Sequence, residues 1–210
     1  MAGKSYDVRM EDLPLFISYP RSGSNWLNCL MELYFDKPRL RTGPVTFLKD
    51  RDSRTDYMWF HDHDIFSDLT IKHSNILYLY RNPCDVIYSL LKAECGKYND
   101  SLVDVQIKRL QNHYEKYMHN NKCILRYEDL KKDLSIEFLE ILRFFNINGS
   151  LNENKLINCN RKVKKEEVIN KEVDKRYFSR KLLSKEYADD RDNFKSKYEG
   201  LILSSLNYKD

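Results

Sequence analysis

The sequence predicts an α/β protein, a three-layer α/β/α arrangement with a mostly parallel sheet, and three segments carry that prediction. Each is a short apolar, β-rich run that hands over to a helical pattern: Leu13 to Tyr19, Asn75 to Tyr80 (NILYLY) and Cys123 to Tyr127 (CILRY). NILYLY is near-continuously apolar rather than alternating, the signature of a strand buried on both faces. Strands interleaved with helices imply a mostly parallel sheet covered on both faces, with its site at the carboxyl ends of the strands.

The elements follow in chain order. Leu13 to Tyr19 is broken by Pro20-Arg21-Ser22-Gly23-Ser24, after which Trp26, Leu27, Leu30, Met31 and Tyr34 recur at helical spacing. Residues 36 to 56, with Pro38, Gly43 and Pro44 among many charges, read as an irregular connection suited to lining a cleft. Tyr57-Met58-Trp59-Phe60 runs into His61-Asp62-His63-Asp64, and Arg81-Asn82-Pro83 stops NILYLY before a helix marked by Val86, Ile87, Leu90 and Leu91. A longer helix from about Ser101 places Val103, Ile107, Leu110, Tyr114 and Tyr117 on one face. The strand ending at Tyr127 follows, and a helix from Ile136 to Phe145 closes the regular part. From Asn152 the chain is rich in Lys, Glu and Asn; Arg161 to Glu167 reads as a solvated helix face, with amphipathic helix resuming only near Tyr198 to Leu206. No repeat or low-complexity linker divides residues 1–210, which are expected to form one domain.

Composition narrows the function. A length of 210 residues suits a single core and a single site. The net charge of +4 is a mild excess that suits a small anionic ligand and falls short of a nucleic-acid footprint. Cys29, Cys84, Cys95, Cys123 and Cys159 are odd in number and scattered, so they read as free thiols of a reducing compartment. With neither a signal-peptide pattern nor an apolar stretch of about 18 residues, the expected setting is cytoplasmic, away from membranes. Asn99-Asp100-Ser101 and Asn148-Gly149-Ser150 are then loop sequence rather than glycan acceptors.

Two segments carry chemistry. Tyr19 to Trp26 sits where a strand meets a helix, and backbone N–H groups at such a helix start form an anion cradle; an ordinary turn with a serine N-cap fits the same residues. It is not a Walker A loop, since Arg21 precedes the glycine and no Lys-Ser or Lys-Thr follows. Arg81 would emerge at the end of the NILYLY strand, with Ser89 about two turns into the next helix, so both can aim at one phosphate. A surface ion pair and a solvated serine are the plain alternatives.

Together these segments resemble the PAPS-dependent sulfotransferase family (PAPS, 3′-phosphoadenosine 5′-phosphosulfate). Ser18-Tyr19-Pro20-Arg21-Ser22-Gly23-Ser24-Asn25-Trp26 is similar to the 5′-phosphosulfate loop, usually T-Y-P-K-S-G-T-T-W, and Arg81 to Ser89 matches R-N-P-x-D-x-x-x-S. The resemblance implies a P-loop-NTPase-like sulfotransferase fold and transfer of a sulfuryl group from PAPS to a hydroxyl or amine of a small-molecule or carbohydrate acceptor. The co-substrate would leave as adenosine 3′,5′-bisphosphate, without a metal. Arg21, where the family has lysine, would stabilise the leaving phosphate; Ser22, Gly23, Ser24 and Asn25 would cradle the 5′-phosphate; Trp26 would pack on the adenine. Arg81 and Ser89 would hold the 3′-phosphate, and Tyr127, in a segment similar to F-Y-E-D-L, would reach the adenine edge.

The family's base is a histidine between the two motifs, where this chain has His61-Asp62-His63-Asp64, and either His61 or His63 fits, with Asp62 or Asp64 to orient a ring. Alternating His and Asp also suits a divalent metal, although no further ligand cluster appears. His73, His113 and His119 read as solvated or helix-surface residues. The closing R-K-G-x-x-G-D-W segment is poorly matched: Arg180 and Lys181 are present without the glycines or the tryptophan. A P-loop small-molecule kinase and a non-catalytic nucleotide-binding protein remain as rivals on the same strand-loop-helix plan.

Overall fold

The structure, a computed structural model, describes residues 12–40, 48, 53–64, 73, 75–118, 123–169 and 185–208. Four parallel strands, β1 (Leu15–Ser18), β2 (Phe60–Asp62), β3 (Ile76–Tyr80) and β4 (Cys123–Arg126), form one sheet in the order β2-β1-β3-β4. Register pairs Phe16 with His61 on one side of β1 and with Leu77 on the other, while Leu79 pairs Leu125. Every residue of β1 is buried, as a central strand of a doubly covered sheet requires.

Alternation along the strands splits the core in two. Leu15, Ile17, Tyr19, Ile76 and Tyr78 point to one face, where α2 (Pro83–Glu94), α3 (Asp100–Tyr117) and α7 (Lys185–Ser205) cover them. Phe16, Leu77, Leu79 and Leu125 point to the other, covered by α1 (Ser24–Phe35), α5 (Leu134–Phe144) and α6 (Glu153–Ile169). This is the three-layer α/β/α arrangement of the sequence reading. Trp59, just before β2, is completely buried in the second core and spends its indole N–H on Asn28 Oδ1 at 2.8 Å.

Local chemistry explains the helix starts. Asn82 caps α2 by accepting from the amides of Cys84 and Asp85, and Pro83 occupies the first turn, where its missing N–H costs nothing. Asn99 caps α3 through the Leu102 amide.

Two parts of the chain differ from expectation. Tyr127 is not the end of a strand: β4 stops at Arg126 and Tyr127 opens a short helix, α4 (Tyr127–Lys132). Regular structure also resumes before Tyr198, in two helices that the sequence reading did not separate. Helix α6 buries Leu156 and Val163 within its charged sequence, and α7 begins by Lys185 and buries Phe194, Tyr198 and Ile202. Sparse apolar residues at helical spacing suffice to anchor a helix whose remaining face is ionic. Arg180, Lys181 and His119 lie outside the described residues, as does most of the segment 41–52.

The carboxyl ends of β1 and β3 are adjacent, yet the chain leaves β1 for α1 on one face and leaves β3 for α2 on the opposite face. That divergence opens a crevice at the switch point of the sheet, where ligands of open α/β folds bind.

Candidate functional site

The turn after β1 is strained. Arg21 takes φ 72° and Gly23, the residue capping α1, takes φ 97°. A left-handed non-glycine residue costs about 1–2 kcal/mol, which the surroundings must repay. Ser22 N–H donates to the Tyr19 carbonyl at 3.2 Å, and an Arg81 guanidinium N–H donates to the Arg21 carbonyl at 3.2 Å. Gly23 is required twice over, because a Cβ there would lie 2.5 Å from two carbons of the Tyr127 ring. The cap is therefore glycine, not the serine of the plain turn reading, and it brings no side chain to satisfy the first amides of α1. Those N–H groups and the helix dipole point to the crevice and favour an anion.

The two motifs meet. Arg21 Nε–H donates to Ser89 Oγ at 3.0 Å, across a separation of 68 residues. The Arg81 guanidinium sits 4.8 Å from the Tyr127 ring centroid and 3.8 Å from Asp85, so it is held in place by a cation–π contact, an ion pair and the Arg21 carbonyl together. Trp26 meets Tyr127 edge to face at 5.9 Å and donates its indole N–H to Asn160 Oδ1 on α6. Ser22 and Ser24 are buried in the turn, and Asn25 stands in the first turn of α1.

At the neighbouring end of β2, the rings of His61 and His63 lie 4.9 Å apart at 83°, with His61 packed on Phe16 at 5.0 Å. His63 Nδ1–H donates to the Ser18 carbonyl at 2.7 Å; a carbonyl can only accept, so Nδ1 carries a proton. The carboxylates of Asp62 and Asp64 make further bonds. Asp62 Oδ1 accepts from the main-chain amides of His63 at 2.6 Å and Asp64 at 2.8 Å, and Asp64 takes the Lys116 ammonium and the Tyr117 hydroxyl. Asp62 fixes the backbone and Asp64 ties this strand end to α3, while the Ser18 carbonyl holds the His63 ring. Among the described residues no group of three or more His, Cys, Asp or Glu side chains is placed to hold a metal ion.

His113 corrects the surface assignment. It is buried in α3, donates from Nε2 to the His63 carbonyl at 3.1 Å and receives the Tyr78 hydroxyl on Nδ1 at 3.0 Å. Burial pushes its pKa from 6.5 down to about 4, partly opposed by the His63 carbonyl and Asp64. Its place four residues before Tyr117 and three after Leu110, on the apolar face, was the signal available in the sequence. His73 is likewise no solvated residue: its ring stacks on Phe60 and bonds the Leu13 carbonyl at 3.0 Å.

A parallel four-stranded sheet covered by helices on both faces gives the three-layer α/β/α arrangement of the sulfotransferase fold. Comparisons reach the same class. The chain superposes on mouse sulfotransferase SULT7A1 complexed with PAP at a TM-score of 0.54, with 16% identity, covering 97% of this chain and 90% of that one. An Arabidopsis thaliana protein assigned as a steroid sulphotransferase matches at a TM-score of 0.50 and 17% identity, over 95% of this chain and 79% of that one. Residues 59–198 match the family model of the sulfotransferase domain. The chain belongs to the sulfotransferase family. Among curated relatives, the amine sulfotransferase of Oryctolagus cuniculus is 28% identical over 173 residues, covering 66% of this chain and 57% of that protein. The chain thus spans little more than half the length of that relative. No helix among the described residues is long and apolar enough to cross a membrane.

Proposed function

We propose that the chain transfers a sulfuryl group from PAPS to a hydroxyl or amine of a small molecule, with the adenosine 3′,5′-bisphosphate portion bound in the crevice between β1 and β3. The observation that carries this reading is the convergence of Arg21, Ser89 and Arg81, from two distant segments, on one switch point. The family match begins at residue 59, after the Arg21 turn, so the turn's role rests on this geometry and on its motif.

The residues fit a doubly phosphorylated nucleotide. The bare N-terminal turn of α1 and the glycine that no side chain could replace suit the 5′-phosphate, and Arg81 with Ser89 suits the 3′-phosphate. Trp26 and Tyr127, edge to face beside them, supply aromatic surface for the adenine. Arg180 and Lys181 are retained as further 3′-phosphate ligands.

When bound, PAPS supplies an activated sulfuryl group whose departure leaves negative charge on the 5′-phosphate. Arg21 places a permanent cation against that charge, and the α1 amides add preorganised dipoles. His63, with its proton held on Nδ1 by Ser18, presents Nε2 as the acceptor for the substrate's proton, and His61 packs beside it. A sulfuryl group carries less charge than a phosphoryl group, so a fixed arginine and backbone dipoles can serve the transfer.

A thermal-shift comparison tests the assignment. Adenosine 3′,5′-bisphosphate without Mg²⁺ is expected to raise the unfolding temperature, and radiolabelled sulfate from PAPS is expected to appear in an amine or hydroxyl acceptor. Stabilisation only by ATP with Mg²⁺ would instead identify a kinase, and nucleotide binding without transfer to a broad acceptor panel would identify a binding protein.

A further inference from the structure

A third element reaches the same crevice. Tyr187 stands in the first turn of α7, where its carbonyl accepts from the Tyr88 hydroxyl at 3.3 Å and its ring packs on Tyr88 at 5.1 Å. Tyr88 is the neighbour of Ser89 in α2. Asp190, one turn further along α7, fastens the arrangement by accepting from the Tyr88 hydroxyl at 2.8 Å and the Tyr98 hydroxyl at 3.0 Å and by pairing with Lys92 at 2.9 Å. From this seat, beside the neighbour of Ser89, the electrostatic surroundings of the Tyr187 hydroxyl include Arg21, Arg81 and Ser89.

Two guanidinium groups offer a phenol no charge to neutralise, yet an anion lying between them would accept its proton in a hydrogen bond. Half-burial raises the Tyr187 pKa and the arginines oppose this only in part, so the hydroxyl stays protonated and available as a donor. We infer that Tyr187 donates to the 3′-phosphate alongside Arg81 and Ser89, and that it helps the site distinguish a 3′,5′-bisphosphorylated adenosine from an ordinary 5′-nucleotide. The inference rests on the PAPS reading of the crevice. It gives α7 a part in recognition that is independent of Arg180 and Lys181.

The test is calorimetric titration of the full chain, without Mg²⁺, with adenosine 3′,5′-bisphosphate and separately with adenosine 5′-monophosphate. Tyr187→Phe keeps the ring on Tyr88 and removes only the hydroxyl. Affinity for the bisphosphate is expected to fall about tenfold, the effect of one hydrogen bond to a charged group, while affinity for the monophosphate is unchanged. A variant that keeps the wild-type preference for the bisphosphate would overturn the role of Tyr187 and leave the PAPS reading intact. Equal losses for both nucleotides would also overturn it, since they signal packing alone. A wild-type chain with no preference for the bisphosphate would defeat the PAPS reading itself, and the present inference with it.

Discussion

The two halves of the crevice are built on different principles. On the side of β1 and β3, guanidinium groups dominate: Arg21 and Arg81 are tied down by Ser89, the Arg21 carbonyl, Asp85 and Tyr127. On the side of β2, the His63 ring is aimed by the Ser18 carbonyl, and its own carbonyl is held by His113, a histidine that burial keeps neutral. In the proposed reaction the first half would hold and stabilise negative charge and the second would accept a proton.

That contrast breaks most sharply at Arg21. Arg21→Ala is expected to lower turnover about 10³-fold while weakening bisphosphate binding far less, and Arg81→Ala to do the reverse, as steady-state kinetics beside calorimetry will show. Comparable losses of turnover and binding in both variants would mean that the two arginines share one role.

The proton-accepting half is expected to respond next. His63→Ala should cost about 10²-fold in turnover with bisphosphate affinity preserved, and His61→Ala less than that, because the ring set by Ser18 is His63. If His61→Ala proves the more damaging in the same assay, the base is His61 and the Ser18 bond is structural.

The smallest effect concerns stability in acid. His113 titrates near 4 in the fold against 6.5 in the open chain, so the unfolded chain takes the proton first. Its contribution is complete above the unfolded value and is lost as pH falls toward the folded one, amounting to about 2 kcal/mol between pH 7 and pH 5. Urea midpoints across that interval should show the loss, and His113→Gln should flatten it; a wild-type midpoint that does not fall would show that His113 is not held neutral.

The same contrast governs what could be read from the sequence. Arg21, Ser89 and Arg81 are legible because anchoring charges at strand ends takes fixed spacing, and NILYLY followed by Arg-Asn-Pro announces both strand and stop. Which atom aims the His63 ring is not legible, since a backbone carbonyl has no letter of its own. His113 hid because a histidine on an apolar helix face is identical in sequence whether it is wet or buried, and Tyr187 hid in a charge-rich stretch where one phenol has no pattern. Helix α6 was understated for a related reason: Leu156, Val163 and a half-buried Trp26–Asn160 bond suffice to dock it, and two apolar letters among lysines are a faint signal.

The contact between Gly23 and Tyr127 reaches beyond this one chain. The ring occupies the volume that any larger residue at 23 would need, so the two positions, far apart in sequence, cannot drift independently. A descendant that gained even a methyl group at 23 would have to surrender the aromatic at 127, and with it the surface against which Arg81 rests. The Trp26–Tyr127 contact, the placement of Arg81 and the bend of the first turn are therefore coupled through one pair of residues.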